Sequence, residues 1–275
     1  MLPTFIEIET STKCNRRCAW CPGKDDTLRR QQTFMKWGLF EKILHDLADI
    51  RYDRTIALHN YNEPTLNGRL AREVRHVRDT VNDACVAVFS NGDRLNRNGM
   101  VALADAGLGL LRITIYPADA RTIPSADSVS AWIRRAEVGE LPWTFADMPD
   151  GKGVCADSIL GEMQIRVIRP NIMSYNSRAG TIALHRPYRR TSICTMTTTS
   201  AAVTYQGELK MCCNIYPSIP EHRGYILGNL ADRSFAVLWG SEAMQAIRMS
   251  HLAADWRLTP ICEQCERFDV LGKIS

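Results

Sequence analysis

The sequence has no apolar run of the roughly 20 residues that a membrane-spanning helix needs. Its first ten residues, MLPTFIEIET, include neither a basic stretch nor a long apolar stretch, so a secretory signal peptide is not indicated. The formal net charge is only +4, and no basic stripe or tail suggests nucleic acid or a membrane as a partner. These absences predict a cytoplasmic protein that binds neither.

Internal repeats and low-complexity tracts are also missing, so the fold must come from the order of ordinary helices and strands. The 275 residues, 45% of them hydrophobic, are enough for one catalytic domain with a small appendage. Strands are predicted at 5–10, 55–60, 84–92, 110–116, 163–169 and 180–185, and helices at 35–49, 70–81, 97–107 and 125–138. Their alternation predicts an α/β fold, a partial (β/α)6 barrel over residues 1–190.

The pattern changes after about residue 190. Residues 199–205 and 208–213, joined by Gln206-Gly207, predict a β-hairpin, and residues 235–252 predict a helix. We therefore expect a small second domain over residues 191–275. Residues 139–160 interrupt the α/β alternation and predict a loop over the mouth of the barrel.

Cysteine is not scarce: the chain has ten, which is many for a protein of a reducing compartment. In such a compartment, cysteines in groups indicate metal ligands rather than disulfides. The groups are Cys14, Cys18 and Cys21, then Cys194, Cys212 and Cys213, then Cys262 and Cys265. Cys85 and Cys155 stand alone, and Cys85, at the start of a strand, is predicted to be buried core.

The first group has the spacing Cys14-x-x-x-Cys18-x-x-Cys21, directly after the first strand. Three thiolates can hold three irons of a [4Fe-4S] cubane and leave the fourth iron open. An open iron can bind the amino and carboxylate groups of S-adenosylmethionine (SAM) and pass it an electron. A structural zinc site with a fourth ligand from elsewhere is the alternative.

Two further motifs support the SAM interpretation. Trp20 precedes the last cysteine of the group, and Asn62-Glu63-Pro64 follows the second strand. With the cysteine spacing, these resemble the radical SAM superfamily. There, an aromatic residue lies near the adenine of SAM, and a Gly-Gly-Glu-Pro element binds its amino group. Tyr61 and Asn62 replace the two glycines, so this part of the match is partial.

Ser90-Asn91-Gly92 ends the third strand and resembles the Thr-Asn-Gly element that binds the ribose of SAM in that superfamily. Arg166 lies on a predicted strand, and SAM's carboxylate is one possible target for its guanidinium. The resemblance covers roughly residues 5–190. It implies SAM as cofactor and Cys14, Cys18 and Cys21 as cluster ligands.

The later cysteines resemble the twitch domain, a shortened SPASM domain of some radical SAM enzymes. In that domain a hairpin glycine, here Gly207, precedes a ligand by five residues, and a late Cys-x-x-Cys completes the site. The resemblance implies a second, fully ligated [4Fe-4S] cluster on Cys194, Cys212, Cys262 and Cys265. Cys213 is an alternative ligand to Cys212, and a four-cysteine zinc knuckle is the alternative site.

The chain most resembles radical SAM dehydrogenases and epimerases that tailor aminoglycosides. This resemblance implies a small polar substrate of the amino-sugar or aminocyclitol type, and a reductant such as flavodoxin or ferredoxin. Arg178, in the run NSRAG, is then expected to orient a substrate hydroxyl. Oxidation needs an electron acceptor, whereas epimerisation needs a thiol that returns hydrogen, for which Cys213 and Cys155 are candidates.

Charge does not settle the nature of the substrate. Residues 137–162 carry six acidic residues against one lysine, which suits a cationic amino sugar, but the arginines between 166 and 190 suit carboxylate or phosphate. Modification of a precursor peptide is the main competing reaction. A non-enzymatic metal or iron–sulfur module is the alternative of another class, and it would not need Glu63 or Ser90-Asn91-Gly92.

Overall fold

The structure, a computed structural model, describes residues 1–119, 121–172, 177–182 and 188–266. Within these ranges the strands are β1 Phe5–Ile8, β2 Thr55–Ala57, β3 Cys85–Ser90, β4 Leu110–Thr114, β5 Thr144–Met148, β6 Gly153–Leu160, β7 Met163–Pro170, β8 Ser200–Val203, β9 Glu208–Lys210 and β10 Ile226–Asn229. The α-helices are α1 Trp37–Asp49, α2 Leu70–Thr80, α3 Arg97–Asp105, α4 Ala126–Arg135, α5 Met196–Thr199, α6 Phe235–Trp239 and α7 Glu242–Leu252.

All these strands belong to one sheet, in the order β10-β9-β8-β1-β2-β3-β4-β7-β6-β5. The central six, from β8 to β7, run parallel, while the strands outside them pair antiparallel. Helices α1 to α4 connect the parallel strands as crossovers, so the predicted α/β fold with a central parallel sheet is confirmed.

Strand β1 divides its residues between the two faces of the sheet. Ile6 and Ile8 are fully buried in the main core with the apolar faces of the helices, while Phe5 belongs to a separate small cluster with Phe89. Because successive side chains of a strand point to opposite faces, Phe5 and Glu7 share the concave side. Glu7 thus lies on the face of the sheet that carries the Phe5 and Phe89 cluster, opposite the main core.

Helix α1 shows why the crossovers form where the periodicity predicts them. Phe40, Ile43, Leu44 and Leu47 recur at helical spacing and are all buried against the sheet. Truncating one such side chain, for example Leu47→Ala, removes packing worth about 2–5 kcal/mol. The core between helices and sheet holds the strands in the register that shapes the site.

Three predicted features differ in the structure. Residues 139–160 contain the β5–β6 hairpin, paired edge to edge with β7, rather than a free loop. Of the strand predicted at 180–185, residues 180–182 lie in a turn, and the remainder falls outside the described residues. The helix predicted at 235–252 is two helices, because Gly240 ends α6 and the Ser241 side chain caps α7 by accepting from the Met244 amide.

The hairpin predicted near residue 200 is present as β8 and β9, but β8 also pairs with β1. The sheet therefore continues across the predicted boundary at residue 190. No helix in the described part of the chain combines the length and apolar character that crossing a membrane would require.

Candidate active site

A cavity of about 210 Å³ opens at the carboxyl ends of the parallel strands. One wall is formed by the first cysteine group and the loops after β2 and β3, and another by residues from the C-terminal half. Binding sites of parallel α/β folds lie at this edge of the sheet. The residues of the prediction that line this cavity are Cys14, Cys18, Cys21, Trp20, Asn62, Glu63, Ser90, Asn91, Arg178 and Cys213.

The first cysteine loop is held by backbone contacts on both sides. The Cys14 amide donates to the Arg29 carbonyl at 2.9 Å, and the Arg30 guanidinium donates to the Cys14 carbonyl at 3.0 Å. All three thiols are free, and burial raises the pKa of Cys14 and raises that of Cys18 to about 12. Thiols in such surroundings become thiolates when a metal centre supplies positive charge, so this donor set fits a cluster.

A charged pair fixes this loop against the turn that follows β3. Arg16 donates to both carboxylate oxygens of Asp93, and to the Tyr116 carbonyl at 3.0 Å. Asn15 donates to Asp93 at 2.7 Å and accepts from the Asn91 side chain at 2.9 Å. The loop that carries the cysteines and the turn expected to bind ribose are therefore positioned as one unit.

Glu63 is almost fully buried, and its carboxylate accepts several hydrogen bonds from within the protein. It accepts from the Ser90 hydroxyl and the Asn91 amide, both at 2.6 Å, and from the amide and hydroxyl of Thr65. Burial raises the pKa of Glu63, and these hydrogen bonds partly offset that shift. Its main observed role is to brace the Ser90-Asn91-Gly92 turn, and a direct bond to the SAM ammonium stays a prediction.

Two other expected SAM contacts lie in the cavity wall. Trp20 is 8% exposed and packs 6.0 Å from the Tyr116 ring, while its Nε1 has no hydrogen-bond partner among the described residues. A buried indole N–H without an acceptor is the kind of group that a bound ligand satisfies. Asn62 lines the cavity and also holds the loop after β2, because its Oδ1 accepts from the Asn60 amide.

Arg166 does not line this cavity. Its guanidinium forms a bidentate pair with Asp157 of the neighbouring strand β6, at 2.6 and 3.0 Å, and is about half exposed. The prediction that Arg166 holds SAM's carboxylate thus gains no support from the structure. The pairing follows from the β6–β7 register, which places Asp157 directly opposite Arg166.

The later cysteines converge from three separate segments. Burial raises the pKa of Cys212 well above its usual value, and nearby thiols add to the shift: Cys213, Cys262, Cys265 and Cys194. In the described ranges, no group of three or more potential ligands is arranged to hold a metal ion. Four thiols are the donor set of a [4Fe-4S] cluster and also of a four-cysteine zinc site, so the donor types alone leave both interpretations open.

Arg178 is brought to the cavity by a loop attached to the late Cys-x-x-Cys. Ser177 donates its hydroxyl to the Gln264 carbonyl and accepts from the Glu266 amide, both at 2.8 Å. Arg178 itself has a left-handed backbone (φ 49°), donates to the Asn214 side chain at 3.3 Å, and its guanidinium carbon lies 5.6 Å from the centre of the Tyr61 ring. Ser177 therefore anchors the loop that carries Arg178.

The two thiols predicted as hydrogen donors, Cys213 and Cys155, lie in different places. Cys213 lines the cavity, whereas Cys155 is buried in β6 and is not among the residues that line it. Cys85 is exposed, so the prediction of a buried core cysteine was wrong. It is the first residue of β3, and the five residues that follow it in the strand are all buried.

The floor of the cavity contains polar residues that the sequence prediction did not select. Glu7, His59, Asn60 and Arg112 come from β1, the segment after β2, and β4. The only sequence signal was the strand FIEIET, in which two glutamates alternate with isoleucines. A buried acidic residue in such a strand indicates either an internal ion pair or a ligand.

Comparisons with known proteins agree with these features. Residues 194–266 match the SPASM family, described as an iron-sulfur cluster-binding domain. Over 111 residues the chain is 26% identical to the S-adenosyl-L-methionine-dependent 2-deoxy-scyllo-inosamine dehydrogenase of Niallia circulans. That match spans 40% of this chain and 44% of the relative, less than half the length of either protein.

Solved structures extend the similarity to nearly the whole chain. The structure of BtrN in complex with AdoMet and 2-DOIA superposes with a TM-score of 0.75 at 18% identity, covering 98% of this chain and 95% of BtrN. BtrN in an open conformation superposes with a TM-score of 0.67 at 17% identity, covering 97% of this chain and 94% of BtrN. A third structure, anSMEcpe with bound AdoMet, superposes with a TM-score of 0.54 at 11% identity, covering 91% of this chain and 84% of anSMEcpe. The resemblance predicted from the sequence is confirmed: the chain has the fold of these SAM-binding proteins, and its C-terminal part matches the SPASM domain.

Proposed function

We propose that this chain is a radical SAM dehydrogenase that removes hydrogen from a hydroxyl-bearing carbon of a small polyhydroxylated ring of the aminocyclitol type. The observation that carries the proposal is the single cavity that joins the Cys14, Cys18 and Cys21 wall to Arg178 and Cys213. A compound bound between these walls lies beside both cysteine groups.

The first cysteine group would hold a [4Fe-4S] cluster. When bound, this cluster and SAM supply the 5'-deoxyadenosyl radical that abstracts hydrogen. The chain's own contribution is to position SAM: Trp20 offers a ring and a free N–H, and the Glu63-braced turn presents Asn91. The buried walls also keep bulk water from a reactive intermediate.

On the other wall, Arg178 would orient the substrate hydroxyl. Its side chain is fixed by Asn214 and by the Tyr61 ring, so less rotamer freedom is lost when it donates to a ligand. The second group, Cys194, Cys212, Cys262 and Cys265, would hold an auxiliary [4Fe-4S] cluster suited to accept an electron. A flavodoxin or ferredoxin would supply the electron that starts the reaction.

The test uses anaerobically reconstituted protein, SAM, a reductant and an aminocyclitol such as 2-deoxy-scyllo-inosamine. We expect about eight irons per chain, formation of 5'-deoxyadenosine and a ketone product in equal amounts. A Cys14→Ala/Cys18→Ala/Cys21→Ala variant should keep about four irons and form no nucleoside. Zinc in place of iron, with no SAM cleavage, would refute the proposal and favour a metal-binding module.

Epimerisation is the second candidate, because Cys213 lines the cavity. The Cys213 thiol would return a hydrogen atom to the opposite face of the substrate radical. Its thiyl radical would then take an electron from the reductant and a proton from water. In deuterated water, an epimerase places one deuterium on the product carbon, and Cys213→Ala abolishes that incorporation. A ketone product that persists in Cys213→Ala supports the dehydrogenase instead.

Modification of a precursor peptide would make the same nucleoside with a different substrate. In that case the small cyclitol should leave SAM cleavage unchanged, whereas a peptide should stimulate it. Product mass spectrometry separates the two outcomes directly.

A further inference from the structure

The floor of the cavity carries two polar atoms without a partner among the described residues. Glu7 is 8% exposed and accepts one hydrogen bond, through Oε2 from the Asn60 side chain. His59 has a buried Nε2 with no hydrogen-bond partner in the described part of the chain. Both residues line the cavity that contains the first cysteine group. Buried polar atoms are nearly always satisfied, so a ligand that reaches the floor is expected to satisfy His59 Nε2. The Glu7 carboxylate lines the same cavity and offers that ligand an acceptor.

The neighbouring acidic residue on the same strand face shows that Glu7 is different. Glu9 is paired with the buried Arg29 guanidinium at 2.5 Å and accepts the Tyr61 amide at 3.1 Å, so its Oε1 is used inside the protein. No cation is placed within salt-bridge distance of Glu7 in the described ranges. Its second carboxylate oxygen is therefore available to a hydrogen-bond donor in the cavity.

Packing holds the pair in position. The His59 ring lies 4.5 Å from the Phe89 ring, and Phe89 packs on Phe5 at 5.6 Å between centroids. Asn60 is held in turn by the buried Lys210, whose ammonium donates to its Oδ1 at 2.6 Å. The orientation of Glu7 is thus set by a chain of contacts that begins beside the auxiliary cysteine group.

The charged groups around the floor indicate which kind of hydrogen-bond donor on the substrate binds there. Burial lowers the pKa of His59 to about 4, and the positive charges of Arg112 and Arg178 act in the same direction, against the opposing effect of Glu7. The buried ammonium of Lys210 lies close by. Arg112 and Arg178 line the same cavity, and two guanidinium groups beside the floor disfavour a further cation, so a substrate ammonium is not expected here.

We infer that Glu7 and His59 recognise two adjacent hydroxyl groups of the substrate ring, and that the amino group of an aminocyclitol binds elsewhere. One hydroxyl donates to the free carboxylate oxygen of Glu7, and its neighbour pairs with His59 Nε2, as donor or acceptor. The inference rests on the proposed function, because it names how that same cavity selects its substrate. It assigns this end of the cavity to a neutral vicinal diol.

The test measures binding without turnover, by calorimetry on the reconstituted full chain with SAM and no reductant. The two probes are 2-deoxy-scyllo-inosamine and the cyclitol in which a hydroxyl replaces its amino group. We expect the wild type to bind both cyclitols. Glu7→Gln should lower the affinity for both about tenfold or more, and His59→Phe should lower both affinities by a smaller factor. Glu7→Asp, which keeps the charge on a shorter side chain, should lose less than Glu7→Gln.

Glu162→Gln is the matched control, because Glu162 is exposed in the turn between β6 and β7. It should bind both cyclitols like the wild type, and all variants should retain the same iron content, SAM affinity and thermal midpoint. Unchanged affinity in Glu7→Gln would overturn the inference, as would a loss confined to the amino compound, which would make Glu7 an ammonium site. If the wild type cleaves SAM but binds neither cyclitol, the proposed substrate class fails, and the diol site fails with it.

Discussion

The buried ion pair between Arg29 and Glu9 offers a quantitative test of how the structure is held together. Arg29 is 4% exposed and Glu9 is 2% exposed, and Arg29 also donates to the Tyr216 hydroxyl at 3.0 Å. Although burial opposes its charge, Glu9 and Tyr216 raise the pKa of Arg29. Arg29→Met removes the ion-pair partner of Glu9 and leaves its carboxylate with the Tyr61 amide as hydrogen-bond donor and the charge of the buried Lys210 nearby, so the variant should be strongly destabilised.

The expected loss is about 3–5 kcal/mol, because breaking a buried pair leaves an uncompensated charge. With a urea m-value of about 3 kcal/mol per M, the unfolding midpoint should fall by roughly 1–1.7 M. Arg29→Met/Glu9→Gln should recover part of that loss, since no unpaired charge remains. The control is Arg257→Met, which breaks an exposed pair with Asp255 and should leave the unfolding midpoint nearly unchanged.

Urea unfolding is followed by circular dichroism and by tryptophan fluorescence under anaerobic conditions, so that loss of cooperativity is detected. If Arg29→Met shifts the midpoint no more than Arg257→Met, the pair is not the buried brace that its geometry indicates. A double variant less stable than Arg29→Met would likewise contradict the reasoning.

Three further predictions follow from local geometry. In Gly92→Ala, the new Cβ would lie 2.5 Å from Ile113 and 2.6 Å from Trp132, at a backbone φ of +71°. The affinity for SAM, measured by equilibrium dialysis, should therefore fall about tenfold or more. Gly68→Ala places its Cβ in open space and should leave that affinity unchanged. Cys262→Ser should lose about half of the iron and Cys85→Ser none; equal iron in both would contradict the auxiliary site. Burial lowers the pKa of His222 and lowers that of His251 to about 4, so the free energy of unfolding should fall as the pH drops below about 6.5. For His251 the loss is at most about 1.4 kcal/mol per pH unit down to pH 4. Melting from pH 5 to 8 checks this, and His222→Gln should flatten the slope.

Much of the fold followed from local pattern. The apolar spacing in 35–49 and 70–81 predicted α1 and α2 to within a few residues, because each helix needs one buried stripe whatever it packs on. The β5–β6 hairpin was not predicted, because β5 is largely exposed and forms through pairing with β6 rather than through its own hydrophobicity. The break at Gly240 was missed because the apolar pattern continues across it.

Spacing alone brought Cys14, Cys18 and Cys21 together, since residues on one short loop are close in any fold. The later cysteines come from three segments, and only the resemblance to the twitch domain grouped them. Spacing could not show that Cys213 faces the cavity while Cys155 does not, or that Arg166 turns to Asp157. Cysteine spacing also gave no sign that Glu7 and His59 line the same cavity. Contacts of this kind depend on the register of strands far apart in sequence, and only the packed sheet decides that register.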